Sequence, residues 1–245
     1  MKILLAPAET KNSGGEEGPF CSENFSFPEL FSKREEIFNI YENLLASSSI
    51  EELSKWFGLK KLDDVEKYKQ SLNNKPSMKA INRYDGVAFD ALDYNSLDKE
   101  SQTYVDENVL LFSNLFGPLK ASDRIPDYKY KQGAKLPEVN VEKFYMENFT
   151  DTLDNFIGDE VIDLRAGFYE KFYKVKKAQV LTFKFVKDGK VVSHWAKYYR
   201  GKVLQEIAKN KITNHSEFMD MAISGLKLNE IQEKKNIKLL IMEIV

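Results

Sequence analysis

Hydrophobic and polar positions follow two periods along this chain, and the switches between them divide it into elements. Ile3 to Ala6 form an unbroken apolar run ended by Pro7, as in a short buried strand. A polar loop with Gly14, Gly15 and Gly18 follows. It contains no Gly-Lys-Ser or Gly-Lys-Thr, so a P-loop is not supported. Pro28 opens a helix with Leu30, Phe31, Ile37, Phe38, Tyr41, Leu44 and Leu45 on one broad face. Ser49 and Glu52 form a capping box for a second helix, which runs through Leu53 and Trp56 to a stop at Gly58. A third begins near Leu62 and continues through Val65, Tyr68 and Leu72. Residues from about 49 to 72 therefore read as helix, short hairpin, helix.

Farther along, Val109 to Phe112 reads as a strand or a buried helix, broken at Gly117-Pro118. Lys120 to Lys135 reads as a basic loop, with Lys120, Arg124, Lys129, Lys131 and Lys135 against Asp123 and Asp127. Asn140 can cap a helix with Phe144, Phe149, Leu153 and Phe156 on its core face, closing at Gly158. Val161 to Leu164 and Gln179 to Val186 read as strands. Asp188-Gly189 is a strong hairpin signal, predicting a return strand from Val191 to Tyr198. A helix with Val203, Leu204, Ile207 and Ala208 is expected after Arg200-Gly201. Asn214 and Glu217 cap the next, and Ile237 to Val245 is a closing strand. No repeat, linker or charge block divides the chain, so one domain is expected.

Charge changes this picture. The chain carries a net charge of −2, yet residues 165–202 hold eleven Lys or Arg against Glu170 and Asp188. That stretch is +9, so the remainder is −11. Such a segment attracts polyanions locally, although aromatics interleaved with Lys also describe strands with a solvated face. Cys21 is the single cysteine, which excludes an internal disulfide, and His194 and His215 give no metal-ligand spacing. No apolar stretch approaches a membrane span, so a cytoplasmic location without membrane contact is expected, and no cofactor is indicated.

Three constellations could carry chemistry. Trp56-Phe57-Gly58-Leu59 has the form of a hairpin that grips a DNA backbone, with Lys55, Lys60 and Lys61 beside it. An ordinary helical hairpin has the same form. Ser113 to Tyr128 combines a polar Ser, a Gly-Pro turn, Asp123, Arg124 and Tyr128, which suits either anion recognition with acid/base work or a capped loop. Lys197-Tyr198-Tyr199-Arg200-Gly201 would deliver basic residues to a helix start, a geometry suited to phosphate.

In this order the pieces resemble the YaaA family of peroxide-stress proteins over nearly the whole chain. The family's opening Ser-Pro-Ala-Lys-Thr is similar to Ala6-Pro7-Ala8-Glu9-Thr10, with Glu9 reversing the charge of its Lys. Gly86 to Leu92 resembles a second motif, and Ser113 to Tyr128 a third, with Phe116 in place of Tyr. A fourth is degraded to Leu164-Arg165-Ala166-Gly167-Phe168-Tyr169, and a Lys-x-x-Arg-Gly element is intact as Lys197, Arg200 and Gly201.

The resemblance implies one compact α+β (mixed α/β) domain, with a mixed sheet flanked by helices and a helix-hairpin-helix element. It implies binding of duplex or branched DNA in the peroxide stress response, with no inherited reaction. The expected DNA contacts are Lys55, Gly58, Lys60, Lys61, Lys120, Arg124, Lys129, Lys131, Arg165, Lys197, Arg200 and Gly201. Thr10, Ser113, Asp123 and Tyr128 are the expected polar cleft residues. The alternative is an enzyme acting on a nucleotide or nucleic acid, with Ser113, Asp123, Tyr128, Lys197 and Arg200 in one cleft. A small-molecule ligand is left open.

Overall fold

The computed structural model describes residues 1–16, 20–73 and 75–245. Gly18 of the glycine-bearing loop lies outside the described residues. The chain enters the centre of the main sheet at once, with β1 (Lys2–Leu5). A two-residue strand, β2 (Thr10–Lys11), follows. The first helix, α1 (Phe31–Ser47), buries Ile37, Phe38, Tyr41 and Leu45 on one face. The capping box of Ser49 and Glu52 is formed at the start of α2 (Ile50–Phe57). Gly58 ends that helix at φ 68°, the left-handed conformation expected of it. The next helix, α3 (Leu62–Lys69), stops short of Leu72.

Short elements then fold back across the chain: β3 (Ser77–Lys79), α4 (Ala80–Arg83), β4 (Tyr84–Asp85) and α5 (Val87–Leu92). A longer helix, α6 (Lys99–Asn108), leads into β5 (Val109–Ser113), whose five residues are all buried. Burial on both faces is what an interior strand of a covered sheet requires. The expected basic loop over 120–135 is mostly turns and irregular backbone, with strand only at Lys120, which ends β6 (Gly117–Lys120), and in β7 (Arg124–Pro126). In α7 (Val141–Ile157), Tyr145 and Ile157 are buried with Phe149 and Leu153, whereas Phe144 and Phe156 are partly buried.

The central sheet is completed by β8 (Glu160–Leu164) and β9 (Gln179–Lys187). Asp188 and Gly189 both take positive φ, 51° and 71°, as a tight hairpin requires. The return strand is shorter than expected. It is only β10 (Lys190–Val191), and α8 (Ser193–Asn210) starts directly after it. The expected strand to Tyr198 yields to the helical spacing of Ala196, Tyr199, Val203 and Ile207, which points one face inward. Then come α9 (His215–Met219), β11 (Leu226–Lys234) and β12 (Ile237–Ile244).

The main path of the eight-stranded sheet runs β11-β12-β9-β8-β1-β5-β6, with β10 added on β9. The five inner strands, β12, β9, β8, β1 and β5, are mutually parallel, and the added and edge strands are antiparallel. The molecule is therefore one α/β domain with a mixed sheet, nine α-helices among the described residues, and one continuous core. From β1 the chain travels to β5 on one side. It later returns to β8 on the other side and continues outward to β9. Connections thus leave β1 and β8 in opposite directions, and a crevice opens at the carboxyl ends of such strands.

Candidate functional site

A cleft of about 700 Å³ occupies that crevice. Its formation follows from strand lengths. Pairing between β8 and β9 ends at Asp163 and Thr182, whereas β9 continues to Lys187. Five residues of β9 therefore project beyond the pairing, roughly 16 Å at the usual rise per residue. The loop after β1 forms one wall, and the start of α8 faces it. Leu5, Phe89, Leu164, Tyr169, Phe183 and Phe185 supply apolar lining.

The polar groups are segregated. Lys184, Lys197 and Arg200 come from β9 and α8, while Glu9, Thr10 and Asp85 come from β2, β4 and the loop before β2. Among the described residues, Lys184, Lys197, Arg200 and Asp85 make no side-chain hydrogen bond or ion pair. Arg200 is half-buried, and burial lowers its pKa. Glu9 is committed. It accepts a hydrogen bond from the Gln132 backbone at 3.2 Å and lies 4.0 Å from the Lys129 ammonium. The charge-reversed position in the opening motif thus clamps the loop after β7.

Gly201 has a different role from the expected phosphate contact at a helix start. It lies in the middle of α8, buried against α5, and a β-carbon there would collide with the Ala88 carbonyl oxygen. Its missing side chain permits α5 and α8 to touch, so two of the family motifs meet in space. Lys197 and Arg200 are the fifth and eighth residues of α8 (Ser193–Asn210), spaced i, i+3 and hence on neighbouring faces.

Ser113 and Tyr128 do come together, but in the interior. The Ser113 hydroxyl pairs with Tyr128 at 2.7 Å and accepts from the backbone of Leu115 at 3.1 Å and Phe116 at 2.9 Å. Tyr84 joins Tyr128 at 2.9 Å. Burial raises the pKa of both phenols, pushing Tyr84 up to about 12. Asp123 lies in a separate turn, where it accepts from the Ser26 hydroxyl at 2.6 Å and backbone at 3.0 Å, and from the Lys120 backbone at 3.1 Å. Burial raises its pKa against the hydrogen bonds that favour its charged form. Neither Ser113, Asp123 nor Tyr128 lines the cleft, so the five-residue constellation is not assembled there.

The remaining expected contacts divide by location. Arg165 is buried. It makes a bidentate pair with Asp163, donates to the carbonyls of Tyr169 and Tyr173, and lies over the Phe112 ring. Arg124 is paired with Glu16 at 2.9 Å and donates to the Ser77 carbonyl. Lys120 sits over Phe156 near the start of β5, at the sheet edge opposite the cleft.

Lys55, Gly58, Lys60, Lys61 and Lys131 are exposed around the α2–α3 hairpin. A β-carbon on Gly58 would lie 3.0 Å from the Lys131 side chain, so these two share one surface. Trp56 donates to the Lys135 carbonyl at 2.8 Å, and Tyr41 to the Lys129 carbonyl at 2.9 Å. The hairpin is thereby fastened to the segment that also brings Gln132 to the cleft. The missed cleft residues are Asp85 and Lys184. Asp85 precedes the Gly86 motif directly, which was a usable signal, but its pairing with Thr10 is non-local.

Among the described residues no helix is long and apolar enough to cross a membrane, and no group of three or more His, Cys, Asp or Glu could hold a metal ion. The family model for peroxide stress protein YaaA matches residues 1–232. An uncharacterized protein of Campylobacter jejuni is 45% identical, covering 100% of both chains. A UPF0246 protein of Corynebacterium glutamicum is 33% identical over 97% of each chain, and one of Fusobacterium nucleatum is 27% identical over 96% of this chain and 97% of its own. With the family model spanning the cleft and the hairpin, this chain belongs to the peroxide stress protein YaaA family.

Proposed function

We propose that this protein acts in the peroxide stress response as a sequence-nonspecific DNA-binding protein, with duplex or branched DNA lying across the cleft and the α2–α3 hairpin. The observation that carries this reading is Arg200. It is a half-buried guanidinium lining the concavity with no hydrogen-bond or ion-pair partner among the described residues, and Lys197, one turn earlier on α8, lines the same cleft. Burial disfavours the charged guanidinium, the nearby Asp163 offsets this only from a distance because it is paired with Arg165, and a phosphate would supply a direct counter-charge. Lys131 and the lysines around Gly58 extend the positive surface along the segment that joins hairpin to cleft.

Phosphate contacts of this type position a duplex without reading its sequence. Four such contacts make affinity fall about 100-fold between roughly 50 and 200 mM salt, through counterion release. Fluorescence anisotropy of unrelated labelled duplexes, titrated at those two salt concentrations, tests the proposal. Equal affinities among sequences and a steep salt dependence are expected. Binding that ignores salt, or no binding at the lower concentration, refutes it.

A further inference from the structure

We infer, on the basis of the DNA-binding reading, that the cleft receives one nucleotide unstacked from the bound strand, with its base inside and its phosphate on the α8 wall. A backbone grip needs only a convex or grooved cationic surface. This site is instead a concavity of about 700 Å³, within the roughly 300–1,000 Å³ typical of small-molecule pockets. Its apolar lining from Leu5, Phe89, Leu164, Tyr169, Phe183 and Phe185 suits the faces of a base and has no use for phosphate.

The polar groups lie where a nucleotide would require them. Lys197 and Arg200, both on α8 and lining the cleft, can take the phosphate. On the β2–β4 side, Asp85 is half-buried with no partner among the described residues, and Thr10 is beside it in the ladder. A carboxylate is a poor neighbour for phosphate but a good acceptor for the exocyclic amine of a base. The separation of cations from acceptors across the cleft therefore gives a nucleotide one orientation. Unstacking costs a few kcal/mol in duplex and least at mismatched or damaged positions, so the site favours disrupted DNA.

The test uses the full chain and a labelled duplex with 2-aminopurine opposite a mismatch. Anisotropy reports binding, and 2-aminopurine emission reports departure from the stack. Emission rising about three-fold or more in step with anisotropy is expected. Free deoxyadenosine monophosphate should compete for the same site, about ten-fold more weakly against Ala196→Phe, which fills the wall, and against Asp85→Ala, which removes the acceptor. Two independent variants, each checked by thermal unfolding, separate loss of the site from loss of the fold. Lys227→Ala, on the exposed edge strand β11 and outside the cleft lining, should leave competition unchanged. Bound duplex with flat emission and no competition overturns the inference and leaves DNA binding standing. Absent anisotropy overturns DNA binding, and the inference with it.

Discussion

Two sets of cations are handled in opposite ways. In the interior, Arg34, Arg83 and Arg165 direct their guanidinium groups to main-chain carbonyls and, for Arg165, a carboxylate. Arg34 donates to Phe116 and Ser26 and lies between the rings of Phe25 and Phe149. Arg83 bonds the carbonyls of Asn12, Gly14, Pro76 and Ile125, tying four loop or strand ends together. On the α8 side of the cleft, Lys197 and Arg200 have no such partners among the described residues. A buried polar group must be satisfied. The interior cations meet it from the chain itself at their terminal guanidinium nitrogens, with the Nε of Arg34 alone among these three groups left without a hydrogen bond among the described residues, so they are fold elements. The cleft cations do not, so they remain available to an external anion. A positively charged residue in a family motif can belong to either set, and satisfaction by the chain tells them apart.

The comparison breaks first, and most heavily, at Arg165. Arg165→Ala leaves the nearly buried Asp163 carboxylate without its bidentate partner and two carbonyls without a donor. Removing one member of such a pair costs about 3–5 kcal/mol. Thermal and denaturant unfolding should show that loss, with duplex affinity intact wherever the fold persists. A variant as stable as the parent would remove Arg165 from the interior set.

Lys11 tests the boundary between the sets. It is a lysine set over the rings of Tyr84 and Tyr128, and burial lowers its pKa to about 7. The unfolded chain binds this proton up to the ordinary lysine value near 10.5, while the folded protein releases it near 7. Between those values the unfolded state holds more protons, so stability rises with pH. The slope attributable to this group reaches at most about 1.4 kcal/mol per pH unit. The difference between parent and Lys11→Met, followed by denaturant unfolding from pH 7 to 10, should display that rise. Parallel curves would mean that Lys11 keeps its charge in the folded protein.

Arg200 gives the converse of Arg165. Arg200→Ala should change unfolding by less than about 0.5 kcal/mol, since no partner is orphaned. Duplex affinity should drop about five- to ten-fold, and the salt slope should fall by about one. An unchanged slope would place the phosphate elsewhere.

The same distinction explains what the sequence could reveal. Local rules were legible: both Ser49 with Glu52 and Asn214 at the start of α9 cap as their spacing predicts, and Asp188-Gly189 turns. The strand β11 was not legible. Its pattern is almost wholly exposed, because this edge strand is held by backbone pairing with β12 more than by an apolar face. Within the +9 stretch, Arg165 and Lys197 looked equivalent as motif cations. Their fates depend on Asp163 and on the β8–β9 length mismatch, and the latter is a non-local property. Gly201 looked like a phosphate contact because its partner, Ala88, is more than a hundred residues away.

The smallest predicted effect concerns the hairpin. The first turn of α3 has no side-chain cap, so its amide groups could face a phosphate, yet Asp63 and Asp64 occupy that turn. Carboxylates there favour the helix dipole and oppose an incoming anion through the same charge. The hairpin's attraction must then come from Lys55, Lys60, Lys61 and Lys131, with the aspartates subtracting from it. Asp63→Asn should therefore raise duplex affinity about two-fold at low salt, an increment that vanishes as screening increases. It should also lower helix stability by a few tenths of a kcal/mol, giving the substitution opposite signs in the two assays. Unchanged affinity for Asp63→Asn at low salt would show that the hairpin points away from DNA, leaving the α8 wall to hold the phosphates alone.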